Sequence, residues 1–193
     1  ETMEHDACGV GLVASTEGLK SRKVVEYGIE ALKAVWHRGA IDADGKTGDG
    51  AGIHIEIPND FFAEKIEITG HEHDNSDLCV GMIFLPRNDF GGQEQCRSIV
   101  ESELTKKNFN IYGWRQVPVD PSVLGEKAEQ TRPEITQVLF THNDKSIHGK
   151  DLERALYETR RKIEKEALRN QLNNFYICSF SSKSIIYKGM FLA

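Results

Sequence analysis

The chain has 193 residues, of which 39% are hydrophobic and 28% charged, with a mean hydropathy of -0.45 and a formal net charge of -6. That composition suits one sizeable globular domain or two small ones, and sets aside collagenous, disordered and low-complexity classes. The acidic balance offers no basic stripe for nucleic acid, and no apolar run nears the roughly 18 residues that a membrane-spanning helix needs.

The opening residues Glu1-Thr2-Met3-Glu4-His5-Asp6 are acidic and polar, unlike a secretory signal. The expectation is a soluble intracellular protein with neither nucleic acid nor membrane as partner. Cys8 to Ala14 alternates Val10 and Leu12 against Gly9 and Gly11, which reads as a strand with a bare backbone face. Ser21 reads as a helix N-cap. Val24, Val25, Gly28, Leu32, Val35 and Trp36 follow at helical spacing, with Gly39 as terminator. A glycine-dense loop from Gly45 to Gly52 leads into a strand at Ile53–Ile57, and Pro58-Asn59-Asp60 opens a short helix through Phe62.

Thr69 to Asp77 is polar and reads as a loop. Leu78–Leu85 predicts an apolar strand, Gly91–Lys107 a helix, and Ile111–Val117 a short strand. Asp120 to Pro133 carries few apolar residues and reads as irregular. Ile135–Thr141 predicts a strand and Lys150–Asn170 a long charged helix. Phe175–Phe180 and Ser184–Lys188 read as a closing hairpin turned at Ser181-Ser182-Lys183. The fold class expected from this order is α+β, with a mostly antiparallel sheet and helices packed outside it.

Several motifs invite chemistry. Gly45-Lys46-Thr47 resembles the end of a phosphate-binding loop, yet five residues, not four, separate Gly39 from Gly45, and the loop follows a helix and precedes a strand. Acidic residues in it would also repel a phosphate, so that reading is set aside. His71-Glu72-His73-Asp74 holds metal-capable side chains but lacks strand-like flanks, and a solvated loop is preferred. The mixed charges of Lys150–Asn170 mark an exposed helix face. The four cysteines show no paired spacing; Cys79 and Cys178 lie in apolar runs as core residues, and Cys96 looks incidental. Cys8 keeps two readings: a small buried hydrophobe, or a nucleophile that substrate reaches past Gly9 and Gly11 and that needs a basic partner such as His37-Arg38.

Cys8-Gly9-Val10-Gly11, Trp36-His37-Arg38-Gly39-Ala40 and Asp44-Gly45-Lys46-Thr47-Gly48-Asp49-Gly50-Ala51-Gly52 resemble the opening of the glutamate synthase large subunit, the N-terminal part of its class II glutamine amidotransferase domain. Arg160-Arg161-Lys162-Ile163-Glu164-Lys165, Phe175-Tyr176-Ile177-Cys178 and Tyr187-Lys188-Gly189-Met190 extend the likeness. The resemblance implies an N-terminal-nucleophile hydrolase fold of αββα layers, present here as a partial domain over residues 8–193 after a leader-like segment, 1–7. It implies Cys8 as the catalytic nucleophile, its own α-amino group as base, and a site neighbourhood of Gly9, Arg38, Gly39, Thr47, Gly48, Asp49 and Gly50. An α-amino pKa of about 7.7–8.0 suits that proton transfer near neutrality.

In such enzymes ammonia from glutamine passes to a synthase part holding FMN and an iron–sulfur cluster, where 2-oxoglutarate becomes glutamate. A reductant-supplying small subunit or ferredoxin is the implied partner, and the cytoplasm or a plastid the implied compartment. No cofactor is expected in these 193 residues. Two departures qualify the activity expected of them. The α-amino group of Cys8 is bound to Ala7, and the family's substrate-binding arginine motif and oxyanion Asn-Gly pair would fall after Ala193. One oxyanion donor is worth about 2.7–4 kcal/mol, so the 193 residues alone are expected to be poorly active. The alternative is a structural or interaction module without catalysis.

Overall fold

In the computed structural model, residues 9–35, 39–72 and 77–192 are described. Cys8, Trp36, His37, Arg38, His73 and Asp74 lie outside them, as does the leader-like segment. The elements in chain order are α1 (Arg22–Ala34), β1 (Ala51–Glu56), α2 (Asn59–Ile68), β2 (Cys79–Leu85), α3 (Phe90–Lys106), β3 (Phe109–Gln116), α4 (Glu126–Thr131), β4 (Glu134–His142), α5 (Gly149–Arg169), β5 (Tyr176–Ser181) and β6 (Ser184–Gly189). A 3-10 turn, Pro121–Val123, precedes α4. The class is α+β with antiparallel pairing in its main sheet, as the sequence predicts.

Contacts divide the chain into two compact units. The larger comprises Glu56–Pro118 and Pro133–Ile186. Its sheet runs β3-β4-β2-β5 with every pair antiparallel. The central strand β2 is an almost continuous apolar run, buried throughout except for the half-buried Phe84, which is the signature of a strand covered on both faces. Gly81 is dictated by its neighbours: a Cβ there would stand 2.7 Å from both the Phe180 ring and the Val138 side chain. At Gly113 the β3–β4 register shifts, and its φ of 147° is one that glycine alone adopts without strain.

Helices α3 and α5 cover one face of this sheet. Cys96, Val100 and Leu104 recur every four residues along α3, and Leu152, Leu156 and Ile163 line α5; all join Cys79, Ile83, Val138, Phe140 and Ile177 in one core. Burying a leucine such as Leu156 contributes about 1.5–3 kcal/mol. Cys96 therefore belongs to the core, because its helical position, not its polar sequence neighbours, decides where it points. Asp89 caps α3 by accepting from Gly92 N–H at 2.9 Å, and buried Gln93 is satisfied by donating to the carbonyls of Pro86 and Arg87.

Three further expectations are corrected, the second of them in the smaller unit. The helix expected to stop near Phe62 continues to Ile68, carried by buried Phe62 and Ile66 one turn apart. The stretch from Asp120, expected to be irregular, holds α4, formed by Glu126-Lys127-Ala128-Glu129-Gln130-Thr131, mostly good helix formers despite their polarity. Most instructive, β5 and β6 form no hairpin. β5 pairs with β2, whereas β6 pairs with β1 in a separate two-stranded sheet. At the corner between them, the Glu153 carboxylate of α5 accepts from Ser182 N–H and Ser182 Oγ at 2.8 Å and from Ser181 Oγ at 3.0 Å. Those bonds replace the ladder contacts that a hairpin turn would make.

The smaller unit comprises the described residues up to Ile55, with Val119–Arg132 and the residues from Tyr187 onward. Helix α1 starts as expected, with Ser21 Oγ accepting from Val24 N–H, but it ends at Ala34 with Val35 as cap, so Gly39 is not its terminator. The cap has φ of -99°, a conformation that needs no glycine. Gly9 to Ala14 form no strand, and Val10 and Leu12 are over nine-tenths exposed. Their alternation supplied a period of two without a partner ladder to pair with.

Candidate active site

The glycine-dense loop folds back on itself before β1. Ile41 and Gly48 form an antiparallel bridge, Asp42 N–H donates to Thr47 O at 2.9 Å, and Asp49 N–H donates to Ala40 O at 3.3 Å. Gly45 stands at the tip with φ of 69°, and its N–H returns to Asp42 O at 2.9 Å. The residues after α1 and the residues before β1 are thereby laid side by side.

Asp44 organises this reversal. Its Oδ1 accepts from the backbone N–H groups of Thr47 at 2.7 Å and Lys46 at 2.9 Å, and its Oδ2 accepts from Thr47 Oγ at 2.5 Å. The Thr47 hydroxyl first, then the Thr47 and Lys46 amides, hold the Asp44 carboxyl far below the usual carboxylate range, because every donor favours the charged form. Thr47, buried at 4% exposure, is pinned by its own backbone as well as by this carboxylate. Asp42 is held low mainly by Lys127, whose Nζ donates to it at 2.6 Å, and Lys127 is correspondingly raised.

The neighbouring glycines answer to close backbone approach. A Cβ on Gly48 would lie 2.8 Å from Phe191 O, and one on Gly52 would lie 2.8 Å from Tyr187 O. A Cβ on the buried Gly125, which precedes α4, would stand 2.1 Å from Thr47 Oγ and 2.3 Å from Asp44 Oδ2.

Of the residues that the sequence singles out, Gly39, Thr47, Gly48, Asp49 and Gly50 lie on or next to this one reversal. Gly9 is exposed on the chain leading to α1. Cys8 and Arg38 fall outside the described residues. The phosphate-loop reading fails as expected, since Thr47 is spent on Asp44 and a strand follows. Asp42, Asp44, Gly125 and Lys127 were missed. Asp44-Gly45 carries the usual turn signal and Asp44 opens the family motif string, but its role as a hydrogen-bond acceptor appears only in the fold. Nothing near Gly125 or Lys127 in the sequence points to residues more than 75 positions earlier.

The described cysteines are unsuited to nucleophilic work. Cys79, Cys96 and Cys178 are all buried and joined in no disulfide; burial pushes the Cys79 thiol up strongly and that of Cys96 up to about 11. Among the described residues, no group of three or more His, Cys, Asp or Glu side chains could hold a metal ion, His71 and Glu72 included. Nor is any helix there long and apolar enough to cross a membrane.

The chain belongs to the class II glutamine amidotransferases, whose family model matches residues 8–193. It is 56% identical over 190 residues to the glutamate synthase [NADPH] large chain of Azospirillum brasilense, which covers 98% of this chain and 12% of that protein. It is 38% identical over 188 residues to ferredoxin-dependent glutamate synthase 2 of Synechocystis sp., and 39% identical over 192 residues to the ferredoxin-dependent glutamate synthase of Pyropia yezoensis. Each of those two alignments covers 97% of this chain and 12% of the relative.

Proposed function

We propose that this chain is the glutamine-hydrolysing part of a glutamate synthase, and that Cys8 is its nucleophile. What carries the reading is that the family match opens at Cys8, together with 56% identity to a glutamate synthase large chain along nearly the whole sequence. The Cys8 thiolate attacks the side-chain amide carbon of glutamine, a C–S bond replaces the C–N bond, and the nitrogen leaves as ammonia after taking up a proton. Water then cleaves the thioester, giving glutamate and the free thiol. The base is the α-amino group of Cys8, so the Ala7–Cys8 peptide bond must be cut before turnover. Arg38 and Gly39 stand beside the nucleophile in this reading, Gly9 leaves it accessible, and Thr47, Gly48, Asp49 and Gly50 wall the site.

The ammonia serves reductive synthesis of glutamate from 2-oxoglutarate in the remaining synthase domains, where FMN and an iron–sulfur cluster act. The described cysteines of this chain sit apart in the core and do not fit a cluster, and no step in this chain runs through either group. The higher identity to the relative named for NADPH than to those named for ferredoxin favours a nicotinamide nucleotide as electron source, delivered through a smaller subunit.

A diazoketone analogue of glutamine tests the reading on the full-length enzyme. Peptide mapping is expected to find the label on Cys8 alone, with buried Cys79, Cys96 and Cys178 as internal controls. N-terminal sequencing is expected to begin at Cys8 in active material. Cys8→Ala is expected to lower glutamine-driven ammonia release by roughly three orders of magnitude or more, as loss of a nucleophile usually does. Label on another residue, or turnover surviving in Cys8→Ala, would remove Cys8 from the role.

A further inference from the structure

Strands β3 and β4 are adjacent and antiparallel, a geometry that a turn of two residues can close. Instead the chain leaves β3 at Gln116 and returns at Glu134 after an excursion, Val119–Arg132, that belongs to the other compact unit. Within that unit the excursion meets the reversal at two places. Gly125 lies so close to Thr47 and Asp44 that no side chain fits between them. Two residues on, Lys127 Nζ donates to Asp42 Oδ2 at 2.6 Å.

These contacts fall on the two aspartates that shape the reversal and on Thr47, its buried threonine. We propose that the Val119–Arg132 excursion is a brace for the glutamine-site loop, with Gly125 and Lys127 as positioning residues for glutamine hydrolysis. The inference rests on the functional reading above for its consequence, and on geometry alone for the brace itself. Neither residue touches substrate in this scheme. They act by fixing where Thr47, Gly48 and Asp49 stand, and a displacement of about 1 Å in a positioned group can lower a rate by two orders of magnitude.

Gly125→Ala is a clean probe, because Gly125 has φ of -76° and ψ of 166°, which alanine adopts freely. Its effect reports the contact with Thr47 and Asp44, not backbone strain. Lys127 is largely exposed, so substitutions there leave folding intact and keep the test decisive if Gly125→Ala fails to fold.

The full-length enzyme is assayed with glutamine and, separately, with ammonium chloride in its place, while hydrogen exchange follows the Lys46 and Thr47 amides. Gly125→Ala is expected to lower kcat/KM for glutamine at least tenfold, and Lys127→Glu about threefold to tenfold. Ammonium-driven synthesis should stay within twofold in both, Lys127→Arg should match the parent within twofold, and the two amides should exchange faster in Gly125→Ala and Lys127→Glu. Glutamine kcat/KM within twofold of the parent in both variants, or an equal fall with ammonium, overturns the positioning role. Unchanged amide exchange overturns the brace. Failure of the underlying reading shows separately, as glutamine turnover that persists in Cys8→Ala.

Discussion

The two units are held together by different physics. The larger buries a continuous apolar core between its four-stranded sheet and helices α3 and α5, with Ile83, Val100, Phe140, Leu156 and Ile163 fully shielded. In the smaller, α1 buries no residue, and the glycine-dense reversal is shaped by two aspartates and by glycines set against backbone. Apolar burial is non-directional and tolerant of small shifts, whereas hydrogen bonds to one carboxylate fix positions within a few tenths of an ångström. The difference assigns stability to one region and the geometry of the candidate site to the other.

The sharpest way to break that division is to damage the core. Leu156→Ala removes a fully buried side chain on the inner face of α5 and is expected to cost about 2–5 kcal/mol of unfolding free energy, counting the cavity left behind. Denaturant unfolding should show a lower midpoint with an unchanged slope. The Lys46 and Thr47 amides should remain protected below the transition. A cost under about 1 kcal/mol would mean that the core is loosely packed and the division wrong.

A smaller effect is expected at the corner between β5 and β6. Glu153→Ala leaves Ser182 N–H and both serine hydroxyls without their acceptor, at a cost of about 1–3 kcal/mol for this half-buried site. Glu153→Gln keeps one carbonyl acceptor and should recover part of that loss in the same unfolding measurement. Equal destabilisation by both would show that charge, not the acceptor geometry, holds the corner.

This corner also marks where the sequence stops being legible. Phe175–Phe180 and Ser184–Lys188 are apolar runs with a polar turn between them, and local pattern makes them a hairpin. The acceptor that redirects the second run sits on a helix 28 residues upstream, and no local pattern reports it. The run Leu78–Leu85 is readable because burial on both faces leaves a nearly continuous apolar signature. The α5 stripe was readable because it repeats at helical spacing. Val10 and Leu12 misled for the complementary reason, since a strand needs a neighbour that the alternation does not name.

The site was legible in the same uneven way. The motif string Asp44 to Gly52 marked the loop, and its resemblance supplied the chemistry assigned to Cys8. What the string concealed is that Gly48 and Gly52 answer to the chain's own backbone at Tyr187 and Phe191, and that Asp44 is an acceptor hub. Residues that act by touching something far along the sequence leave no local periodicity, so the brace at Gly125 and Lys127 was invisible until the fold placed it.

The mildest effect expected is an absence of change, and it separates the two aspartates. Asp44 is lowered chiefly by the Thr47 hydroxyl and nearby amides, Asp42 chiefly by the Lys127 ammonium. A carboxylate lowered in the folded state contributes its full support above its unfolded value, about 4, and loses it only as pH falls through the lowered folded value. The Thr47 amide resonance should therefore hold constant from pH 8 to pH 5 and move only in strongly acidic solution. Salt then distinguishes the causes. Screening at about 1 M weakens an exposed ion pair but hardly affects short hydrogen bonds to neutral donors. Raised salt should shift the acid titration of Asp42 upward and leave that of Asp44 in place. A Thr47 amide that titrates near pH 4, or an Asp44 that follows salt as Asp42 does, would show that the reversal is held by charge, and that its geometry is far softer than a carboxylate hub implies.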